Sequence, residues 1–217
     1  MSPRLRALWL HRACNMIVRR LGMRVSASGS LPASGLIVSN HLSYLDILFF
    51  SSLMPCIFVS KSEVLSWPLF GILARCGGTI FVERGRGSVL DSVSKKIGAA
   101  LEEGVLVVLF PEGTSTDGSS VLGFFPALFE AAVRRETPVF PAAVAYEIPG
   151  GREIDLCYYA DITFGPHLLT ALGLRGIHAH LAFSGIASHY GDRKAAARGS
   201  RDEVIALREK LALEISS

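Results

Sequence analysis

Short apolar runs bounded by Gly, Pro or charged residues recur along the chain, at 36–39, 56–60, 78–82, 105–109 and 138–144. Their aliphatic and β-branched content predicts strands. Two later runs, 156–164 and 177–184, predict further strands. Between them the pattern turns helical: Val89, Val93, Ile97, Ala100 and Leu101 recur at helical spacing over 88–103, and Gly104 closes the element. Val105-Leu106-Val107-Val108-Leu109 lacks polar alternation, as a parallel strand covered on both faces would. Strand and helix therefore alternate, which predicts an α/β fold, a mostly parallel central sheet flanked by helices. Residues 201–215 read as a final helix whose glutamates and lysines form a solvated face, and 186–200 read as a loop. No internal repeat or long linker divides the chain.

The first predicted strand delivers the segment richest in chemistry. Asn40-His41-Leu42-Ser43-Tyr44-Leu45-Asp46 directly follows Gly35-Leu36-Ile37-Val38-Ser39. That puts a titratable base at the C-terminal edge of a sheet, where open α/β folds carry their sites. Ser43 and Asp46 also read as a helix cap with an acid in the first turn, an account that needs no catalysis but leaves His41 unexplained. Residues five apart on an ideal helix lie about 140° apart. A His41–Asp46 contact therefore requires His41 to precede the helix and fold back over its first turn. An alcohol needs its proton removed as it attacks an acyl carbon, and imidazole, which titrates at about 6.5 when unperturbed, can do so at neutral pH. Asp46 would then hold the other ring nitrogen.

Three more segments lie at the edges of apolar runs: Gly78-Thr79-Ile80-Phe81-Val82-Glu83-Arg84, Phe110-Pro111-Glu112-Gly113-Thr114-Ser115 and Val139-Phe140-Pro141-Ala142-Ala143-Val144. In this order the four segments resemble the blocks of the PlsC-type glycerolipid acyltransferases, the family of 1-acylglycerol-3-phosphate acyltransferase. The resemblance spans roughly residues 36 to 144. It implies a glycerol-3-phosphate acyltransferase-like fold and transfer of a fatty acyl group from acyl-CoA or acyl-carrier protein to the hydroxyl of a lysophospholipid. The thioester is a substrate, and no cofactor or metal is called for. The resemblance makes His41 and Asp46 the catalytic pair, sets Lys61 and Arg84 at an acidic headgroup with Arg86 as a weaker candidate, and assigns Glu112, Gly113 and Thr114 to acceptor binding. Pairing of Glu112 with a basic residue is the competing account, and Pro141 would shape a wall. The acceptor expected first is 1-acylglycerol-3-phosphate. Ser115-Thr116-Asp117-Gly118, however, resembles the branch that acylates lyso-ornithine lipid.

No serine or cysteine sits in a nucleophile elbow, which argues against a serine hydrolase and for direct transfer; an acyl-enzyme through Ser43 is the alternative. A lipid-binding or scaffolding protein of the same fold is the non-enzyme alternative, although it would have no need of His41 and Asp46. The histidines are scattered, except that His178 and His180 alternate on a predicted strand, two metal-ligand types without a third nearby in sequence.

Composition adds a membrane expectation. Half of the residues are apolar, yet no run of eighteen uncharged apolar residues exists. The first 45 residues hold six arginines and no acidic residue, while the remainder carries sixteen basic and nineteen acidic ones. Wound as a helix, residues 3–21 put Ala7, Leu10, Cys14, Ile17, Val18 and Leu21 on one face and Arg4, His11, Arg12, Asn15 and Arg19 on the other. Residues 1–30 therefore read as a basic amphipathic segment lying on an anionic membrane, with 31–217 as the acyltransferase domain. Packing of that face on the domain is the competing reading. The arginines interrupt any secretory signal, and the four cysteines form no CxxC pair, which points to reduced thiols and the cytoplasmic face of the cell membrane. Nothing in the pattern calls for nucleic acid.

Overall fold

The computed structural model describes all residues but 69, 83–86 and 217, and the backbone alone of 87–91. The chain opens with α1 (Pro3–Arg20), β1 (Arg24–Ser28), β2 (Gly35–Ser39), α2 (Leu45–Leu53), β3 (Cys56–Lys61), α3 (Phe70–Cys76) and β4 (Ile80–Val82). It continues through α4 (Gly87–Glu102), β5 (Leu106–Leu109), α5 (Glu130–Arg134), β6 (Val139–Glu147), α6 (Phe164–Gly173), β7 (His178–Phe183) and α7 (Arg193–Ser216). The seven strands form one sheet in the order β1-β7-β6-β2-β5-β3-β4. Strands β6, β2, β5, β3 and β4 run parallel; β7 is antiparallel to β6, and β1 is parallel to β7.

Burial explains the order. Strands β2 and β5 are buried at every position, as continuous apolar runs in the middle of a parallel sheet should be. Ile37, Phe58, Val108 and Val144 face α1, α2 and α3, where Leu10, Phe49 and Leu73 pack against them. Leu36, Val38, Val107 and Leu109 face the opposite layer, built from Val93 and Ile97 of α4, Ala132 of α5 and Val204 of α7. The C-terminal ends of β2, β5 and β3 thus open on one edge, between the two helical layers.

Three expectations are corrected. The apolar face of α1 covers the domain: Ala7, Leu10, Cys14 and Val18 are buried, and His11 Nδ1 and Asn15 Nδ2 donate to the Ser51 and Ser52 carbonyls of α2 at 2.7 and 3.1 Å. Arg4 and Arg6 donate to the Glu103 and Arg75 carbonyls at the C-terminal ends of α4 and α3, where a helix dipole favours a cation. With β1 in the sheet as well, residues 1–30 are continuous in packing with the rest. Run 156–164 forms no strand. Leu156 ends a 3-10 turn, Ala160 takes a left-handed φ of 49°, and α6 begins at Phe164; an apolar run here lines a wall instead. The expected loop 186–200 becomes helix from Arg193, because the Asp192 carboxylate accepts the Lys194 and Ala195 N–H groups as a cap, which also holds that carboxyl below its usual range. On α7, Glu209, Lys210 and Glu214 are exposed, while Arg208, largely buried, pairs with Glu153 at 2.8 Å and donates to the Val144 carbonyl at 2.8 Å.

Candidate active site

Strand β2 ends at Ser39, and the Asn40 side chain replaces the lost ladder by bonding both the N–H and the carbonyl of Val144 on β6. This fixes the loop that carries His41. His41 Nδ1 lies 2.7 Å from Asp46 Oδ2, and the Asp46 side chain is wholly buried. The same oxygen accepts the Leu42 and Ser43 N–H groups at 2.9 and 3.2 Å, and the Tyr146 hydroxyl donates to Oδ1. Four donors therefore converge on one buried carboxylate, as its burial demands. Burial and the neighbouring Asp46 charge push the Tyr146 hydroxyl far above its usual pKa, so it keeps the proton it donates. Tyr44, in place of Ser43, stands at the start of α2 and makes no side-chain cap; Asp46 itself ties the first turn back to the loop.

The third segment clamps His41 from the other side. The His41 N–H donates to Glu112 Oε1 at 2.7 Å, the Leu122 N–H donates to Oε2 at 2.7 Å, and the Thr116 N–H donates to the His41 carbonyl at 2.9 Å. Burial pushes the Glu112 carboxyl above its ordinary value against the pull of these two donors. Glu112, expected at the acceptor, thus has both oxygens engaged by backbone and pairs with no basic side chain among the described residues. The His41 ring stacks on Phe110 with centroids 4.2 Å apart and 13° between planes, which fixes its tilt. Gly113 takes a φ of +69°, and a Cβ there would come within 2.7 Å of the Phe125 ring; the close approach that requires glycine is to this ring. Replacing Glu112 with Ala orphans two backbone N–H groups, each at about 1–3 kcal/mol. The variant is expected to melt well below wild type and to lose transfer rate as His41 shifts, measurable by thermal denaturation beside a rate assay.

Nδ1 being held by Asp46, Nε2 is the ring nitrogen His41 can offer to a cavity of about 650 Å³ that it lines. Gly113, Thr114, Ser115 and Lys61 line it at the sheet edge, and Ile47, Leu48, Trp67 and Phe70 form its apolar walls. Leu10 and Cys14 on the inner face of α1 also line it, so the first helix is part of the enclosure. The sequence signals thus bring His41, Asp46, Lys61, Gly113 and Thr114 to one place. Arg84 and Arg86 lie outside the described residues. Pro141 is buried in β6 away from the cavity wall, so the fourth segment builds sheet between β2 and β7. Ser43 is fully buried, and its hydroxyl accepts the Leu45 N–H. Tyr146, Phe110 and Asn40 were not singled out by sequence; each acts through a contact distant along the chain. Burial raises the Cys14 thiol to about 12 and pushes Cys56 and Cys157 up as well, which makes them inert thiols.

A mostly parallel sheet with a carboxylate-held histidine at its open edge and an apolar cavity beside it fits acyl transfer, and the comparisons agree. The chain belongs to the acyltransferase family: a sequence model described as Acyltransferase matches residues 23–145. It is 38% identical over 179 residues to the lyso-ornithine lipid O-acyltransferase of Rhizobium meliloti, covering 76% of this chain and 60% of that protein. To the protein of the same description from Pseudomonas aeruginosa it is 35% identical over 209 residues, covering 94% of this chain and 78% of the other. The 1-acyl-sn-glycerol-3-phosphate acyltransferase of Neisseria gonorrhoeae is 31% identical over 131 residues, 60% of this chain and 51% of that one. In three dimensions the chain matches the crystal structure of the 1-acyl-sn-glycerophosphate acyltransferase PlsC from Thermotoga maritima with a TM-score of 0.69 at 19% identity, over 95% of this chain and 79% of the other, which shows a shared fold.

Proposed function

We propose that this acyltransferase moves a fatty acyl group from an acyl-CoA or acyl-carrier-protein thioester to the hydroxyl of a lysolipid in one direct displacement. The carrying observation is His41, held at Nδ1 by Asp46, on the wall of an apolar cavity large enough for a lipid-like ligand. The acceptor hydroxyl gives its proton to His41 Nε2 as its oxygen bonds to the thioester carbonyl carbon. The tetrahedral intermediate then collapses, the carbon–sulfur bond breaks, and the imidazolium returns the proton to the departing thiolate. Asp46 stabilises the imidazolium and fixes its tautomer, Tyr146 and two backbone N–H groups hold Asp46, and Glu112 is a strut for the His41 loop. The burial of Ser43 argues against an acyl-enzyme.

For the acceptor, the relatives favour lyso-ornithine lipid over 1-acylglycerol-3-phosphate, the reverse of the order expected from sequence. Two that match most of this chain carry the former name, and the latter remains as second reading because Lys61 lines the cavity and Arg84 follows β4 in sequence. Offering both lysolipids with one labelled thioester tests this. A preference of ~10-fold or more in kcat/KM for lyso-ornithine lipid, about 1.4 kcal/mol, is expected. The opposite preference reverses the assignment, and Arg84→Ala should then cut the rate on the phosphate acceptor.

The outer face of α1 supplies the membrane contact, at the cytoplasmic surface of the cell membrane. Among the described residues no helix is long and apolar enough to cross a bilayer. Leu5, Trp9 and Met16 are exposed on that face beside Arg12, Arg19 and Arg20, a combination suited to an anionic interface. Each arginine near such a surface contributes about 1 kcal/mol. Replacing Arg12, Arg19 and Arg20 together by Gln should weaken flotation on anionic vesicles by roughly 100-fold at low salt and have little effect at high salt, where the attraction is screened. Deleting the helix is a poorer test, because it uncovers the core.

A further inference from the structure

We propose that Glu147, His178 and His180 form a binding site for a divalent transition-metal ion of the zinc type, apart from the catalytic pair. Strand pairing builds the cluster. His178 and His180 lie two apart on β7 and share a face, and antiparallel register sets Glu147 of β6 opposite His178. Sequence spacing could supply only the two histidines; the third ligand comes from the neighbouring strand, and one ligand atom of each residue lies within 4.8 Å of the others.

The distances fit an ion. Glu147 Oε2 stands 3.0 Å from His180 Nε2 and 3.5 Å from His178 Nδ1. Two donors each bound at 2.0–2.1 Å to one tetrahedral centre stand about 3.4 Å apart, within that interval. The same separations serve hydrogen bonds, which a metal would replace by displacing the shared protons. A further contact sets this cluster apart from a chance ion pair. Ser26 of β1, in register with His180, lies 3.2 Å from its Nδ1 through Oγ, and so orients the ring with Nε2 toward the site. Metal-bound histidines are regularly held this way through the second nitrogen. Two imidazoles and a carboxylate select Zn²⁺ or its late first-row neighbours over Mg²⁺ and Ca²⁺. Glu147 is 44% exposed, which leaves a fourth position open to water. Arg24, opposite His178 on β1, opposes a cation and is expected to moderate the affinity.

The site lies on the α7 side of the sheet, where Ala145 and Ala182 pack on Leu211, whereas Tyr146, next to Glu147, points to the other side and holds Asp46. A bound ion would tie β6 to β7, with β1 joined to it through Ser26, at the end of the strand that braces the catalytic carboxylate.

The test uses untagged, chelator-treated full chain titrated with Zn²⁺ by calorimetry and with Co²⁺ by visible absorption. One ion per chain, intense tetrahedral Co²⁺ bands and a higher Tm with Zn²⁺ are expected. Ser26→Ala should weaken Zn²⁺ by roughly 10–100-fold. His180→Ala and Glu147→Gln should weaken it further and remove the Tm rise, with circular dichroism reporting whether each variant is folded. Arg24→Ala should tighten binding, which a variant that merely unfolds could not do. Wild type that takes up no Zn²⁺, or that binds it as tightly as folded Glu147→Gln and His180→Ala do, overturns the proposal.

Discussion

Replacing His41 with Ala is expected to lower acyl transfer by about 10²–10⁴-fold, the usual worth of a positioned base. The stability change should stay near 1 kcal/mol, because the lost ring makes one stacking contact with Phe110 and one bond to a carboxylate that keeps three other donors. The loss should appear in kcat, since the cavity walls are untouched, and excess thioester or acceptor should not restore it. Thermal denaturation and steady-state rates on the same preparation separate this from unfolding. A variant that melts like wild type and transfers at the wild-type rate removes His41 from the mechanism.

Asp46 separates orientation from integrity. In Asp46→Asn the remaining carbonyl oxygen is retained toward His41 by the Leu42 and Ser43 N–H groups, while the new amide turns to the Tyr146 hydroxyl, which can accept. The histidine therefore keeps its tautomer but loses the charge that steadies the imidazolium. A fall of about 10²-fold is expected, less severe than for His41→Ala, with the fold preserved. Asp46→Ala is different in kind. It leaves two buried N–H groups and a buried hydroxyl without a partner, at about 1–3 kcal/mol each, a sum comparable to the whole stability of a domain. That variant should melt far below wild type or fail to accumulate. Comparing the two melts and the Asn rate checks the account, and an Asn variant as active as wild type would end the orienting role.

The His41–Asp46 pair could be read from sequence because its geometry is local: five residues, a strand before and a helix after. Its braces could not, since Tyr146 reaches Asp46 from a strand a hundred positions away. Apolar runs announced β2, β5, β6 and the first half of β3 because those stretches are buried on both faces. β1, Arg-Val-Ser-Ala-Ser at the sheet edge, carries no such run and is held by register with β7. Amphipathicity showed that α1 has an apolar face, but pattern alone does not say whether lipid or protein covers it; here α2, β3 and α3 pack against it. The resemblance implied acceptor binding for Glu112, whereas its two oxygens accept backbone N–H groups, partners that no side-chain pattern records. Run 156–164 shows the limit of hydrophobicity as a strand signal, because Tyr158 and Tyr159 line the cavity wall from irregular backbone.

Incubating the purified chain in detergent with a labelled acyl thioester, with and without lyso-ornithine lipid, tests the account most directly when diacyl lipid and free fatty acid are followed together. The account predicts that label passes to diacyl lipid at a rate that depends on the acceptor, with little fatty acid released, and that both products vanish in His41→Ala. Steady release of free fatty acid with no lipid acylated would contradict it, since water and not a lysolipid hydroxyl would then be the nucleophile His41 activates.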